Sequence, residues 1–209
     1  MLNLAIFASG NGSNFRSIHR AVSEGRLAAR IVLLVTDKAT CGAVTFATAE
    51  GIPTRILTSE DLSSPARGAI LLEATQRHAA DFIALCGYLK LLPAEFVRAF
   101  PNRILNIHPA LLPAFGGKGM YGTRVHAAVL ESGAKFSGPT VHLVNEEYDR
   151  GPIVAQRVVP VQDDDTVETL AARVLTEEHL LYPAVLQAFS EGRVTVSGSR
   201  TYILEHPRT

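Results

Sequence analysis

The sequence predicts an α/β fold with a doubly wound, mostly parallel sheet. Short apolar segments rich in β-branched residues alternate with segments of helical periodicity. Continuous apolar strands separated by helices are typical of a parallel sheet covered on both faces. We expect strands at residues 2–8, 30–36, 54–57, 81–86 and 103–107, and helices at 14–24, 43–50 and 70–78.

The pattern changes after about residue 135. Residues 137–144 and 153–161 are long strand-like runs joined by a polar turn, which predicts an antiparallel pair. Residues 166–189 predict one long helix, interrupted or ended near Tyr182-Pro183, because proline removes a helical hydrogen bond. We therefore expect an antiparallel C-terminal extension and a long C-terminal helix.

Composition excludes several classes of protein. Lys+Arg and Asp+Glu both number 20, and this balance argues against a general nucleic-acid binder. No apolar run approaches the roughly 18–20 residues of a membrane span, and the start lacks the cationic segment of a signal peptide. Cys41 and Cys86 are far apart, so neither a disulfide framework nor a zinc site is indicated. We expect a cytoplasmic protein.

The segment Ser9 to Asn14, SGNGSN, follows the first predicted strand and begins a helix. Its glycines allow backbone amides to approach an anion, and the helix start adds N–H donors and a favourable dipole. Ser13 and Asn14 add side-chain donors or cap the helix. The segment matches neither a dinucleotide loop nor an ATP loop. A plain strand-to-helix turn is the alternative interpretation.

Asn106 and His108 stand in NIHPALLP at the end of a predicted strand. Alternate side chains of a strand share a face, and ligands of open α/β sheets bind at the carboxyl ends of strands. An amide beside an imidazole supplies an N–H donor for a developing oxyanion and a group that holds or moves a proton. A structural Asn and His at a strand end is the alternative.

Asp149 lies in the predicted turn of EEYDRGPIV. Asp is a common turn former, so a catalytic role requires His108 as its neighbour. His142 alternates with Thr140 on the preceding predicted strand. Two interpretations are open, a residue that faces this site and a core histidine, and we favour the second.

Together and in this order, these motifs resemble those of the folate-dependent formyltransferases. CGYLKLL at 86–92, GPTVHLVNEEYDRGPIVAQ at 138–156 and Glu177-Glu178-His179 extend the resemblance over nearly the whole chain. The match is most specific for the members that formylate glycinamide ribonucleotide in purine synthesis. It implies 10-formyltetrahydrofolate as co-substrate, 5-phosphoribosylglycinamide as formyl acceptor, no metal, no membrane and no nucleic-acid partner, and a monomer or homodimer.

The resemblance also implies roles for individual residues. Asn106, His108 and Asp149 take the catalytic places. Gly12, Ser13 and Asn14 take the places that bind the phosphate. Glu178 takes the place that contacts the amine end of the substrate. The folate pocket is assigned to Leu89, Lys90, Leu91, Leu92, Asn106 and Val144, with the 144–149 turn closing over the pterin. We expect one domain, 1–209, with a phosphate-binding half at 1–108 and a folate-closing and C-terminal half at 109–209.

The chain departs from the family pattern at Lys90, in the loop 116–122 and at Leu175, which occupies a place that is often polar. Lys90 stands where an arginine is common. A lysine keeps the positive charge but cannot make the bidentate contact of an arginine. The segment Gly116 to Gly122, GGKGMYG, is longer than the usual loop. We predict that it closes over bound substrate and excludes water, and a solvated insertion is the alternative.

Three related enzyme activities and one non-catalytic function are alternatives to this one. Methionyl-tRNA formyltransferases, sugar-nucleotide formyltransferases and formyl-folate hydrolases share the catalytic residues but typically carry additional domains, which we do not expect here. A non-catalytic phosphate-binding module would explain the segment Ser9 to Asn14 and leave Asn106 and His108 without a role.

Overall fold

The computed structural model describes residues 1–206. The last three residues of the predicted half 109–209 therefore lie outside the described residues. The strands are, in chain order, β1 (Leu2–Phe7), β2 (Ala29–Thr36), β3 (Thr54–Ile56), β4 (Phe82–Leu85), β5 (Ile104–His108), β6 (Phe136–Ser137), β7 (Thr140–Leu143), β8 (Ile153–Gln156), β9 (Val159–Pro160), β10 (Val194–Ser197) and β11 (Arg200–Ile203). The helices are α1 (Ser13–Ser23), α2 (Gly42–Ala49), α3 (Ser59–Ser63), α4 (Arg67–Arg77), α5 (Ala94–Ala99), α6 (Thr123–Glu131) and α7 (Val167–Ser190).

Seven strands form one mostly parallel sheet in the order β3-β2-β1-β4-β5-β7-β8. The pairs β1–β2, β1–β4 and β2–β3 are parallel, whereas β7 and β8 pair antiparallel. The four residues of β4 are all buried, as expected for a strand covered on both faces. The predicted α/β class with its antiparallel extension and long helix is confirmed.

The chain divides into two compact units, residues 1–105 and residues 106–209. In the first unit, strands alternate with helices α1 to α5, and the core is formed by apolar side chains of the strands and of the helices that follow them. Phe7 and Phe96 are fully buried, and their rings lie 5.7 Å apart. The second unit contains α6, α7 and the strands from β6 onwards. There, Val129 of α6 and Leu170 and Val174 of α7 belong to one buried cluster.

Helix α7 corrects one prediction. It runs without a break from Val167 to Ser190 with Pro183 inside it, so the expected interruption near Tyr182-Pro183 is wrong. A proline in a helix costs about 3 kcal/mol. Tyr182, Val185 and Leu186 on either side are 0–2% exposed, and their burial on one continuous helix outweighs that cost. Within residues 1–206, no helix combines the length and apolarity that crossing a membrane requires.

The two predicted antiparallel runs are antiparallel, but each is split. Residues 137–144 divide between β6 and β7, and residues 153–161 between β8 and β9. β7 and β8 pair in the large sheet, whereas β6 and β9 form a separate two-stranded sheet. Gly138 lies at the break with φ 139°, and a Cβ there would collide with the carbonyl oxygen of Arg157. This close approach of two backbones ends the regular ladder at that point.

Candidate active site

The glycine-rich segment connects β1 to α1 in the first unit. Gly12 is the N-cap residue of α1, with φ 71°, and Ser13 and Asn14 are the first two residues of the helix, so neither takes the capping position offered as one alternative. The amide of Ala43, in α2, donates to the carbonyl of Gly10 at 3.2 Å. A Cβ at Gly12 would lie 3.1 Å from that of Ala43. The segment is therefore held against α2 by a contact that only glycine accommodates well.

The segment predicted to meet folate follows β4 in the same unit. The amide of Leu89 donates to Ser9 Oγ at 3.2 Å, and Arg67 Nη2 donates to the carbonyl of Leu91 at 2.8 Å. Lys90 Nζ lies 3.9 Å from Asp37 Oδ2. Leu89 and Leu91 are 42% and 38% exposed, whereas Leu92 is buried. The segment thus offers apolar surface on a backbone that two hydrogen bonds hold in place. The position of Arg67 in the sequence did not indicate its hydrogen bond to the carbonyl of Leu91.

In the second unit, the structure brings Asn106, His108 and Asp149 together. Asn106 Nδ2 donates to Asp149 Oδ1 at 3.3 Å, and His108 Nδ1 lies 3.6 Å from Asp149 Oδ2. The alternation of β5 sends the first two side chains to the same face, and the turn after β7 supplies the third with φ 54°. The side chains of His108 and Asp149 are 4% and 10% exposed. A carboxylate, an imidazole and an amide therefore share one nearly dry site, which is an arrangement able to hold and move a proton.

Two backbone groups of the segment after β5 complete this cluster. The carbonyl of Phe115 accepts from His108 Nε2 at 2.8 Å, and the amide of Gly117 donates to Asp149 Oδ2 at 2.9 Å. The beginning of the predicted lid, 116–122, is thus bound to Asp149, and the residue that precedes it is bound to His108. Its closure over substrate stays a prediction. No side-chain pattern reveals these contacts, because both groups belong to the main chain.

His142 also belongs to this cluster, although the sequence favoured a core histidine over one that faces the site. It is 2% exposed, but its Nε2 lies 3.0 Å from Asn106 Nδ2 and 3.5 Å from Asp149 Oδ1. Its Nδ1 donates to the carbonyl of Leu143 at 2.9 Å. The alternation of Thr140 and His142 along one strand was the available signal.

Thr140 and Gln156 fix the course of the chain beyond His108. Thr140 Oγ1 donates to the carbonyl of Ala110 at 2.6 Å and accepts from the amide of Leu112 at 3.0 Å. Gln156 Nε2 donates to Thr140 Oγ1 and to the carbonyl of Leu112, both at 2.9 Å. These buried bonds satisfy backbone groups that leave the ladder after β5 and so hold the strand exit in one path.

Burial and charge set the protonation of the cluster in opposite directions. Burial lowers the pKa of His108, and the charge of Asp149 and the Phe115 carbonyl counteract that effect only in part. Burial alone would raise the pKa of Asp149, but the His142 ring, the charge of His108 and the amide of Gly117 together lower it. Asp149 is therefore ionised at neutral pH.

Val144 and Glu178 are the two remaining residues predicted to contact a ligand. Val144 follows β7 directly and is half-buried. Glu178 is a buried carboxyl on α7, 7% exposed. Their roles toward folate and substrate stay predictions.

Comparison with known proteins identifies the family. Residues 2–186 match the family described as formyl transferase. The chain belongs to the formyl transferase family. It is 34% identical over 204 residues to phosphoribosylglycinamide formyltransferase of Haemophilus influenzae, covering 97% of this chain and 94% of that one. A solved glycinamide ribonucleotide transformylase 1 from Symbiobacterium toebii matches with a TM-score of 0.91 at 38% identity, over 98% of this chain and 95% of that one. The predicted family is thereby confirmed.

Higher identity is found with a plant protein. The chloroplastic phosphoribosylglycinamide formyltransferase of Arabidopsis thaliana is 54% identical over 193 residues, which is 91% of this chain. The chain spans 66% of that relative and 62% of its counterpart in Vigna unguiculata, slightly less than two thirds of their lengths.

Proposed function

We propose that this chain transfers a formyl group from 10-formyltetrahydrofolate to the amine of 5-phosphoribosylglycinamide, giving the N-formyl product and tetrahydrofolate in de novo purine biosynthesis. The cluster of Asn106, His108 and Asp149 carries this proposal, because acyl transfer to an amine requires both charge stabilisation and proton transfer. The membership of the chain in the formyl transferase family supports it, as do the names of its relatives.

The chemistry follows from the groups in the cluster. The amine attacks the formyl carbon, negative charge grows on the formyl oxygen, and the bond to the folate nitrogen then breaks. His108 stabilises the growing charge, and the nearby carboxylate of Asp149 favours the protonated imidazole that does so. The substrate nitrogen loses one proton and the folate nitrogen gains one. Ionised Asp149 guides a water molecule that relays this proton.

Separate parts of the chain are proposed to bind the two substrates. The segment Ser9 to Asn14, with Gly12, Ser13 and Asn14, takes the phosphate, and Glu178 meets the amine end. Leu89 and Leu91 offer exposed apolar surface to the folate rings, and Lys90 offers a cation to its carboxylates. A single catalytic domain, a monomeric or homodimeric state and a cytoplasmic location remain part of the same proposal.

One assay tests the activity. Purified chain is given 10-formyltetrahydrofolate with and without 5-phosphoribosylglycinamide, and both tetrahydrofolate and the N-formyl product are quantified by mass spectrometry. We expect release of tetrahydrofolate only with the amine, one product molecule for each. His108→Ala should lower kcat by about 10²–10⁴ because proton transfer and charge stabilisation are lost. His78→Ala, in the first unit, is the matched control.

Two results would contradict the proposal. Equal release of tetrahydrofolate without the amine would identify a hydrolase. Wild-type turnover by a folded His108→Ala variant would exclude the assigned chemistry.

A further inference from the structure

The amide of Asn106 is bound by two acceptors. Its Nδ2 lies 3.0 Å from His142 Nε2 and 3.3 Å from Asp149 Oδ1. A side-chain NH2 has two hydrogens, so these two contacts use both of them. Asn106 itself is only half-buried, in the middle of the otherwise buried strand β5.

The backbone decides which nitrogen of His142 carries the hydrogen. The carbonyl of Leu143 lies 2.9 Å from Nδ1, and a carbonyl can only accept. Nδ1 therefore bears the hydrogen, and in the neutral ring Nε2 is left with a lone pair. That lone pair accepts from Asn106. If the amide were reversed, its oxygen would face the lone pair of His142 and the carboxylate of Asp149 with no hydrogen between them.

We propose that His142 is a positioning residue that fixes the Asn106 amide with its Oδ1, not its NH2, toward the reacting groups. Asn106 then serves as an acceptor, which revises the N–H donor role expected from the sequence. This inference rests on the proposed formyl transfer. Asn106 Oδ1 accepts one N–H of the substrate amine and directs the nitrogen lone pair toward the formyl carbon.

The reaction remains balanced with this assignment. The carbon–nitrogen bond to the amine forms with the lone pair of that amine, and the bond to the folate nitrogen breaks with its electrons on the folate. One proton leaves the substrate nitrogen and one is gained by the folate nitrogen. His108, not Asn106, then faces the developing oxyanion.

The tautomer of His142 tests the orientation without any substrate. Long-range proton–nitrogen NMR spectra of the full chain, labelled with ¹⁵N-histidine, distinguish the two neutral tautomers. The signal of residue 142 is assigned by its absence from the His142→Gln spectrum. We expect hydrogen on Nδ1. Hydrogen on Nε2 would overturn the inference.

Kinetics test the consequence for catalysis. His142→Phe keeps a buried ring but removes the acceptor, and we expect kcat to fall about tenfold to a hundredfold with a much smaller change in KM, because misorientation of one group costs that much. His142→Gln should restore much of the loss, since its amide oxygen can lie near the position of Nε2. His78→Gln is the control for the substitution.

The possible outcomes separate this inference from the proposed function. Wild-type kcat in folded His142→Phe, or no recovery in folded His142→Gln, would overturn the positioning role. Failure of the wild-type chain to transfer formyl would overturn the proposed function, whereas the tautomer is read in the ligand-free protein. If His142→Phe fails to fold, the tautomer and the His142→Gln kinetics still decide.

Discussion

Gly116 lies against Asp149, the proposed catalytic carboxylate, and a substitution at Gly116 tests the placement of that side chain. A Cβ at this position would be 2.5 Å from Leu112 Cδ2 and 3.2 Å from Asp149 Cβ. Carbon atoms normally pack at about 3.5–4.0 Å. The backbone of Gly116 is outside the left-handed region, so the effect of a methyl group there is one of contact and not of backbone strain.

Gly116→Ala should therefore displace its neighbours. Leu112 is 5% exposed and must move by roughly 1 Å to restore normal contact, and Asp149 by a few tenths of an ångström. Overpacking of this kind costs about 1–3 kcal/mol of stability. A misplacement approaching 1 Å lowers turnover by up to about 10²-fold, so we expect kcat to fall about tenfold to a hundredfold.

The assay is steady-state formyl transfer, together with thermal unfolding. Gly133→Ala, outside the predicted lid, is the control: a Cβ there meets nothing within 4 Å, but φ is +73°, so the control carries backbone strain of about 1–2 kcal/mol without displacing Asp149. Stability should fall in both variants and kcat mainly in Gly116→Ala. Equal kcat in the two variants would refute the argument that the methyl group acts through Asp149.

Two further predictions concern charge and the anion-binding segment. Asp149→Asn removes a charge that raises the pKa of His108, so the inflection that His108 gives to the pH dependence of kcat/KM should move to lower pH; an unmoved inflection would contradict the coupling. Gly12→Ala should weaken binding of inorganic phosphate, measured by calorimetry, more than Gly51→Ala does, because both glycines have positive φ but only Gly12 lies in the proposed phosphate segment. Equal phosphate affinity of the two variants would count against that segment as the phosphate site.

The fold followed from the sequence where one physical signal dominated. Apolar runs of strand length predicted β1, β2 and β4, since strands buried on both faces cannot alternate in polarity. The hairpin of β10 and β11 was missed, because its residues are half-buried or exposed and show no apolar pattern. Helix α7 was misjudged at Pro183, because a local rule predicts a break and only tertiary burial overrides it.

The sequence was sufficient to predict which residues form the candidate site, but not which of their nitrogens carry hydrogen or how their hydrogen bonds run. The spacing of Asn106 and His108 places them on one face of a strand, and this is a property of the sequence alone. The contact with Asp149 needed the fold, because a turn 41 residues after His108 has to return to the end of β5. The direction of the Asn106 amide depends on a main-chain carbonyl at residue 143, for which a sequence carries no signal.

Two backbone carbonyls give the two histidines opposite tautomers. Phe115 holds the hydrogen of His108 on Nε2, and Leu143 holds that of His142 on Nδ1. The nitrogens that face Asp149, at 3.6 Å and 3.5 Å, are then both lone pairs in the neutral rings. The charge of Asp149 favours a proton at the facing nitrogen of His108 and so opposes the effect of burial, which still lowers the pKa of His108 overall. In the proposed transfer, a proton received at His108 Nδ1 faces the carboxylate of Asp149, and the imidazolium that forms supplies the charge that an oxyanion intermediate requires.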